Sequence, residues 1–88
     1  MGNLEFSAEI VREEKAGGWT FVAWPGSVAA LGTGKAVKVL ATVDGHEFAV
    51  TCLPRGDGTH FLPLSKAVLK TLGRAPGENI EVHVRRPQ

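Results

Sequence analysis

From residue 4 to residue 10 the apolar side chains Leu4, Phe6, Ala8 and Ile10 alternate with Glu5, Ser7 and Glu9, the period-two pattern of a strand with one dry face. A Glu-rich stretch to Lys15 and the pair Gly17-Gly18 break the alternation. It resumes over residues 19–24 with aromatic and β-branched residues, so the pattern predicts two strands joined through a turn. Pro25 closes the second strand, and residues 26–31 read as a short helix with Ser27 as its N-cap and Gly32 at its end. Residues 35–43 and 46–53 flank Asp44-Gly45, a dipeptide suited to a two-residue type I′ turn because both central positions need positive φ. Such a turn sets the register: Val43 opposite His46, Ala41 opposite Phe48, Val39 opposite Val50 and Val37 opposite Cys52, with the apolar sides of both strands on one face. A turn over residues 54–58 and a short strand over 59–62 follow; a tight hairpin there sets His60 opposite Leu53, on the face away from Cys52. A helix over 65–72 is capped by Ser65 and stopped by Gly73, and a turn at Pro76-Gly77 leads into a last strand through Ile80, Val82 and Val84.

Two stretches share one grammar: strand, proline, helix, glycine, strand. Setting Pro25 on Pro63 puts Ser27 on Ser65, Ala29 on Ala67 and Leu31 on Leu69, whereas Gly34-Lys35 must slide by five further residues to meet Gly77-Glu78. The shared order points to an internal duplication. Two such halves suggest a pseudo-twofold closed sheet, and closure removes the exposed strand edges that invite aggregation.

The specific features of the second half are the loop Leu53-Pro54-Arg55-Gly56-Asp57-Gly58, the run Leu62-Pro63-Leu64 before a helix, and the turn Pro76-Gly77-Glu78. In these, and more loosely in Phe6, Val22 and Pro25, the chain resembles the bacterial DUF1905 family of domains of unknown function. The resemblance implies a double-split β-barrel, the fold class that also holds the AbrB and MazE transcription factors, with both halves fused in one chain. It implies no known reaction. The fold class expected is therefore mostly β: a single-chain double-split β-barrel with two short helices and a pseudo-twofold internal repeat.

At 88 residues the chain has room for one such domain, residues 1–88, and too little for a deep catalytic cleft with a separate lid. With 43% hydrophobic and 22% charged residues it has a globular composition. Its apolar runs are too short to span a bilayer, and one cysteine cannot make an internal disulfide, so the expected setting is the cytoplasm. Net charge is only +1, distributed as −2 over residues 1–34 and +3 over residues 35–88, which disfavours nucleic acid as the partner.

Candidate chemistry is sparse. Gly32-Thr33-Gly34-Lys35 lacks the earlier glycine and the following Ser or Thr of a phosphate loop and reads as a turn. Cys52 shares its face with Phe48 and Val50 and reads as a buried, inert thiol. His46, His60 and His83 lack zinc spacing, so neither a metal nor a cofactor is expected. Lys66, Lys70 and Arg74 recur every fourth residue as one stripe beside Arg55, Asp57 and His60 in the neighbouring loop and strand. Trp19 and Trp24 stand on opposite faces of a straight strand, so one of them must reach a surface or pocket.

The leading expectation is a non-catalytic module binding an unknown small molecule or protein through Trp19, Trp24, Arg55, Asp57, His60, Lys66, Lys70 and Arg74. It is expected as a monomer or weak homodimer without membrane contact. The rival is a small barrel enzyme acting on an apolar molecule by shape or a general acid or base, with His46, Glu47 or His60 as the group. DNA binding by analogy with AbrB-like folds stands third.

Overall fold

In the computed structural model, which describes residues 4–13, 19–56 and 58–86, the alternating segments become strands of one sheet. In chain order the elements are β1 (Leu4–Glu9), β2 (Val11–Arg12), β3 (Thr20–Trp24), α1 (Ser27–Leu31), β4 (Val37–Val43), β5 (His46–Pro54), β6 (His60–Pro63), α2 (Lys66–Leu72) and β7 (Asn79–Arg85). The expected turn at Gly17-Gly18 and the candidate site residue Asp57 lie outside the described residues.

The β4–β5 hairpin has the register read from the sequence, from Val43 opposite His46 to Val37 opposite Cys52. Its turn residues Asp44 and Gly45 take φ of 52° and 82°, which meets the requirement of a type I′ turn for two positive values. Val39, Ala41, Val43, Val50 and Cys52 consequently all face inward and are buried.

The sheet has 7 antiparallel strands in the order β1-β7-β4-β5-β6-β3-β2. Its symmetry follows from the registers. β3 pairs with β6 so that Ala23 lies opposite Phe61, and β4 pairs with β7 so that Ala41 lies opposite Val84. The first pair are equivalents when Pro25 is set on Pro63. The second are equivalents when Gly34 is set on Gly77. β3 and β4 thus each meet their own copy across a pseudo-twofold axis, with β1 flanking β7 as β5 flanks β4.

This symmetry makes the β1–β3 seam the counterpart of the β5–β6 ladder. Phe6 of β1 stacks on Trp24 of β3 across it, with ring centroids 4.7 Å apart and an interplanar angle of 10°. The barrel is nearly closed, and aromatic packing bridges the seam. The end of β1 is tied down by the Ile10 amide, which donates to the Glu78 carbonyl at 2.9 Å, and by the Gly77 amide, which donates to the Ile10 carbonyl at 2.8 Å. Ile10, Val22, Trp24, Val39, Leu62, Val82 and Val84 fill the interior.

Three expectations are corrected. The N-cap of α1 is Gly26, at φ 77°, and Ser27 is the first helical residue because its hydroxyl is drawn into the interior. Its counterpart Ser65 does cap α2, accepting the Val68 amide at 3.1 Å. Secondly, β6 begins at His60 with Pro54 opposite it, whereas a tight hairpin would have set His60 against Leu53. The Arg55 amide donates to the Thr59 carbonyl at 2.9 Å, so the loop closes one residue wider and His60 turns inward. Finally, β2 has no buried position and so no alternation to reveal it; only its pairing with β3 makes it a strand.

Candidate functional site

The two tryptophans divide as the strand geometry requires: Trp24 is 4% exposed within the barrel, and Trp19 is 50% exposed outside it. Trp19 is held in place by Phe61, whose ring it meets nearly edge-on at 6.4 Å, and Phe61 in turn meets Phe21 at 5.4 Å. The Arg55 guanidinium lies over both phenylalanines, 5.4 Å from Phe21 and 5.9 Å from Phe61. Arg55 therefore caps an aromatic cluster on the outer face of β3 and β6.

On its other side Trp19 borders a groove of about 570 Å³. Arg12, Trp19 and Thr20 come from β2, β3 and the residue before it, while Pro63, Leu64, Ser65, Lys66 and Leu69 come from the end of β6, the following turn and α2, with Pro76 completing the lining. The Leu64 amide donates to the Thr20 carbonyl at 2.8 Å and joins the two walls. Among the described residues two cations, Arg12 and Lys66, border the groove, and none of the lining residues is a carboxylate. Because the Ser65 oxygen already accepts from the Val68 amide, its own hydroxyl proton is free to donate.

His60 is wholly buried and does not reach this groove. Its Nε2 lies 2.9 Å from the Lys35 carbonyl, and its Nδ1 lies 2.6 Å from the hydroxyl of Ser27, also wholly buried. The carbonyl can only accept, so Nε2 carries a proton and donates; in the neutral ring Nδ1 is then the acceptor for the Ser27 hydroxyl proton. Sequence reasoning missed this pairing of a hydroxyl with an imidazole. Ser27 and His60 are far apart in the chain, and the inward turn of His60 depends on the loop closure described above. The pair links α1, the turn before β4 and β6, and its burial keeps substrate from the hydroxyl.

The sequence profile of a domain of unknown function, DUF1905, matches residues 6–84. The chain belongs to the DUF1905 family. No curated protein matches it.

In this DUF1905 domain the remaining candidates are dispersed. His46 and Glu47 line a separate cleft of about 170 Å³ between β5 and α2, and the Glu47 carboxylate is 2.8 Å from Arg85. Cys52 is fully buried, and burial pushes its thiol up to about 11, so it stays protonated and unreactive. Glu5, Glu81 and His83 cluster on the outer face of β1 and β7, with His83 3.2 Å from Glu5 and 3.4 Å from Glu81; all three are exposed. None of the described helices is long and apolar enough to cross a membrane.

The basic stripe is shorter than its spacing implies. Gly73 caps α2, so Arg74 leaves the helix and turns away to Asp44 at 2.9 Å and Glu78 at 3.2 Å. Lys66 and Lys70 remain as the exposed helical cations. The hydrogen bond from Arg74, and after it the Arg74 charge, holds the Asp44 carboxyl below the usual carboxylate range. A depressed folded-state value means that this contribution is present above the unfolded value near 4 and lost as pH falls through the folded value. Arg74→Ala is therefore expected to lower the melting temperature of the DUF1905 domain by a few degrees at neutral pH. Thermal denaturation should show the gap to the parent protein closing as pH falls below the usual carboxylate range. A gap constant with pH would refute the assignment.

Proposed function

We propose that this DUF1905 domain is a non-catalytic binding module that takes its ligand in the groove between Trp19 and Lys66. One observation carries the reading: a half-exposed tryptophan, fixed by Phe61, shares a concave site with Arg12 and Lys66. Large aromatics that remain exposed beside convergent polar groups mark recognition surfaces. The pseudo-twofold supports it. In the other half the equivalent surface is shut, since Ser27 and Leu31 are buried where Ser65 is exposed and Leu69 half-buried. Duplication supplied two such surfaces, and one stayed open.

The test is a thermal-shift screen of metabolites against the parent protein, Lys66→Ala, Trp19→Phe and Arg55→Ala. A ligand of the groove should lose most of its stabilising effect in the first two variants and keep it in the third, because Arg55 lies on the outer aromatic cluster. Stabilisation indifferent to Lys66 and Trp19 would refute the assignment.

The same reading takes the domain as bacterial and cytoplasmic, a monomer or weak homodimer, in keeping with a single unpaired and buried thiol. The crossing of two halves at self-pairing strands supports kinship with the double-split barrels of AbrB and MazE. Their DNA binding does not come with it, because among the described residues only two cations line the groove and Arg74 is engaged elsewhere. Catalysis is not favoured: His46 and Glu47 border one cleft, while His60 is sealed inside the barrel.

A further inference from the structure

Given the groove as the binding site, its chemistry restricts what it can hold. From the described lining residues we infer that the ligand is a small molecule carrying a phosphate monoester on or near a planar ring. This inference rests on the binding reading above and adds the class of ligand.

The argument is one of charge and hydrogen-bond polarity. Arg12, Lys66 and the Trp19 indole N–H offer only donors, the Thr20 and Ser65 hydroxyls can donate as well as accept, and none of the described lining residues carries a negative charge. A cationic or donor-rich ligand would leave Arg12 and Lys66 facing like charge or unpaired. An acceptor-rich anion satisfies both, and Ser65, with its acceptor side turned to the Val68 amide, presents its proton to a further oxygen. Two cations match the roughly −1.5 to −2 charge of a phosphate monoester at neutral pH better than the single charge of a carboxylate.

The ring requirement comes from Trp19. Its edge contact with Phe61 fixes the indole while half of its surface stays in solvent beside the cations. An aromatic face held in that way accepts a stacked ring at little cost in side-chain entropy. A polynucleotide is disfavoured by the same census. Strand-binding grooves follow the backbone with a track of cations, whereas here Arg12 and Lys66 border one groove and the net charge of the chain is +1.

The experiment is tryptophan fluorescence titration of the whole chain, with circular dichroism to verify that each variant is folded. Trp24 is buried against Phe6, so quenching by a ligand reports Trp19. The probes are phenyl phosphate, adenosine 5′-monophosphate, adenosine, benzoate, inorganic phosphate and a single-stranded oligonucleotide. Both ring phosphates should quench saturably, with adenosine, benzoate and inorganic phosphate each at least about tenfold weaker. Lys66→Ala and Arg12→Ala should each weaken the ring phosphates by about tenfold, and Trp19→Ala, followed by thermal shift, by a similar factor.

Benzoate or adenosine binding as tightly as the phosphates would overturn the ligand class, as would an oligonucleotide binding far more tightly than the mononucleotide. So would absence of saturable quenching by either ring phosphate. A neutral or cationic compound whose stabilising effect disappears in Lys66→Ala and Trp19→Phe would overturn the anion inference while leaving the groove as the site. Ring-phosphate binding that survives all of the groove substitutions would overturn both.

Discussion

His60→Ala is expected to cost about 3 kcal/mol or more, a fall in melting temperature of at least about 12 °C for a domain of this size. The substitution removes a fully buried ring and leaves two partners without it: the Lys35 carbonyl and the Ser27 hydroxyl, the latter wholly enclosed. A buried polar group deprived of its partner loses about 1 to 3 kcal/mol, and the vacated volume adds a cavity cost. Ser27→Ala should cost less, about 1 to 2 kcal/mol, because it orphans only Nδ1. The double variant should be less destabilised than the two single effects added, since once one partner is gone the other has less to lose. Chemical denaturation of the four proteins checks this. A His60→Ala protein within about 3 °C of the parent, or strict additivity, would show that the buried pair does not hold the fold.

The second large effect is expected at the seam. Trp24→Ala should destabilise by about 3 to 5 kcal/mol through lost burial alone. Its distinguishing mark is local. Phe6 would lose the ring it stacks on, and β1 would keep β7 as its paired neighbour while the β1–β3 side lost its aromatic bridge. Native-state hydrogen exchange should therefore quicken in β1 well before it quickens in the β4–β5 hairpin. Equal acceleration in both would mean that the seam is not a separate point of weakness and that closure depends on other contacts.

These two expectations differ in how far the sequence could have anticipated them. The opposed faces of Trp19 and Trp24 follow from strand alternation, which requires one inside and one outside without saying which. Burial of Trp24 follows from its place across from Phe6, a contact between strands that are not neighbours in sequence. His60 was assigned to the wrong face. A loop closing one residue wider than a tight hairpin flips every side chain of the following strand, and that width is set by backbone bonding in the loop.

The cations show the same division. Fourth-residue spacing placed Lys66, Lys70 and Arg74 on one stripe, which holds only while the helix continues. Gly73 ends it, and Arg74 is captured by carboxylates from the β4–β5 turn and from its own turn. Arg12 had no distinguishing pattern. It joins Lys66 because β2 pairs beside β3 and the Thr20 carbonyl accepts the Leu64 amide. Neither partner is near the other in the chain.

From the sequence alone came the order of the helices and of every strand but β2, the hairpin register around Asp44-Gly45, the duplication and its five-residue slip, and the inert thiol. All of these rest on local rules: a period of two, a turn that accepts only certain φ values, and a cap residue beside a glycine. Tertiary structure decided which tryptophan stays in solvent, that His60 is spent on Ser27 and Lys35, and that Arg12, Trp19 and Lys66 share one groove. Each of those depends on where the barrel brings distant segments together, and a spacing along one strand or helix carries no information about the element that will lie across from it.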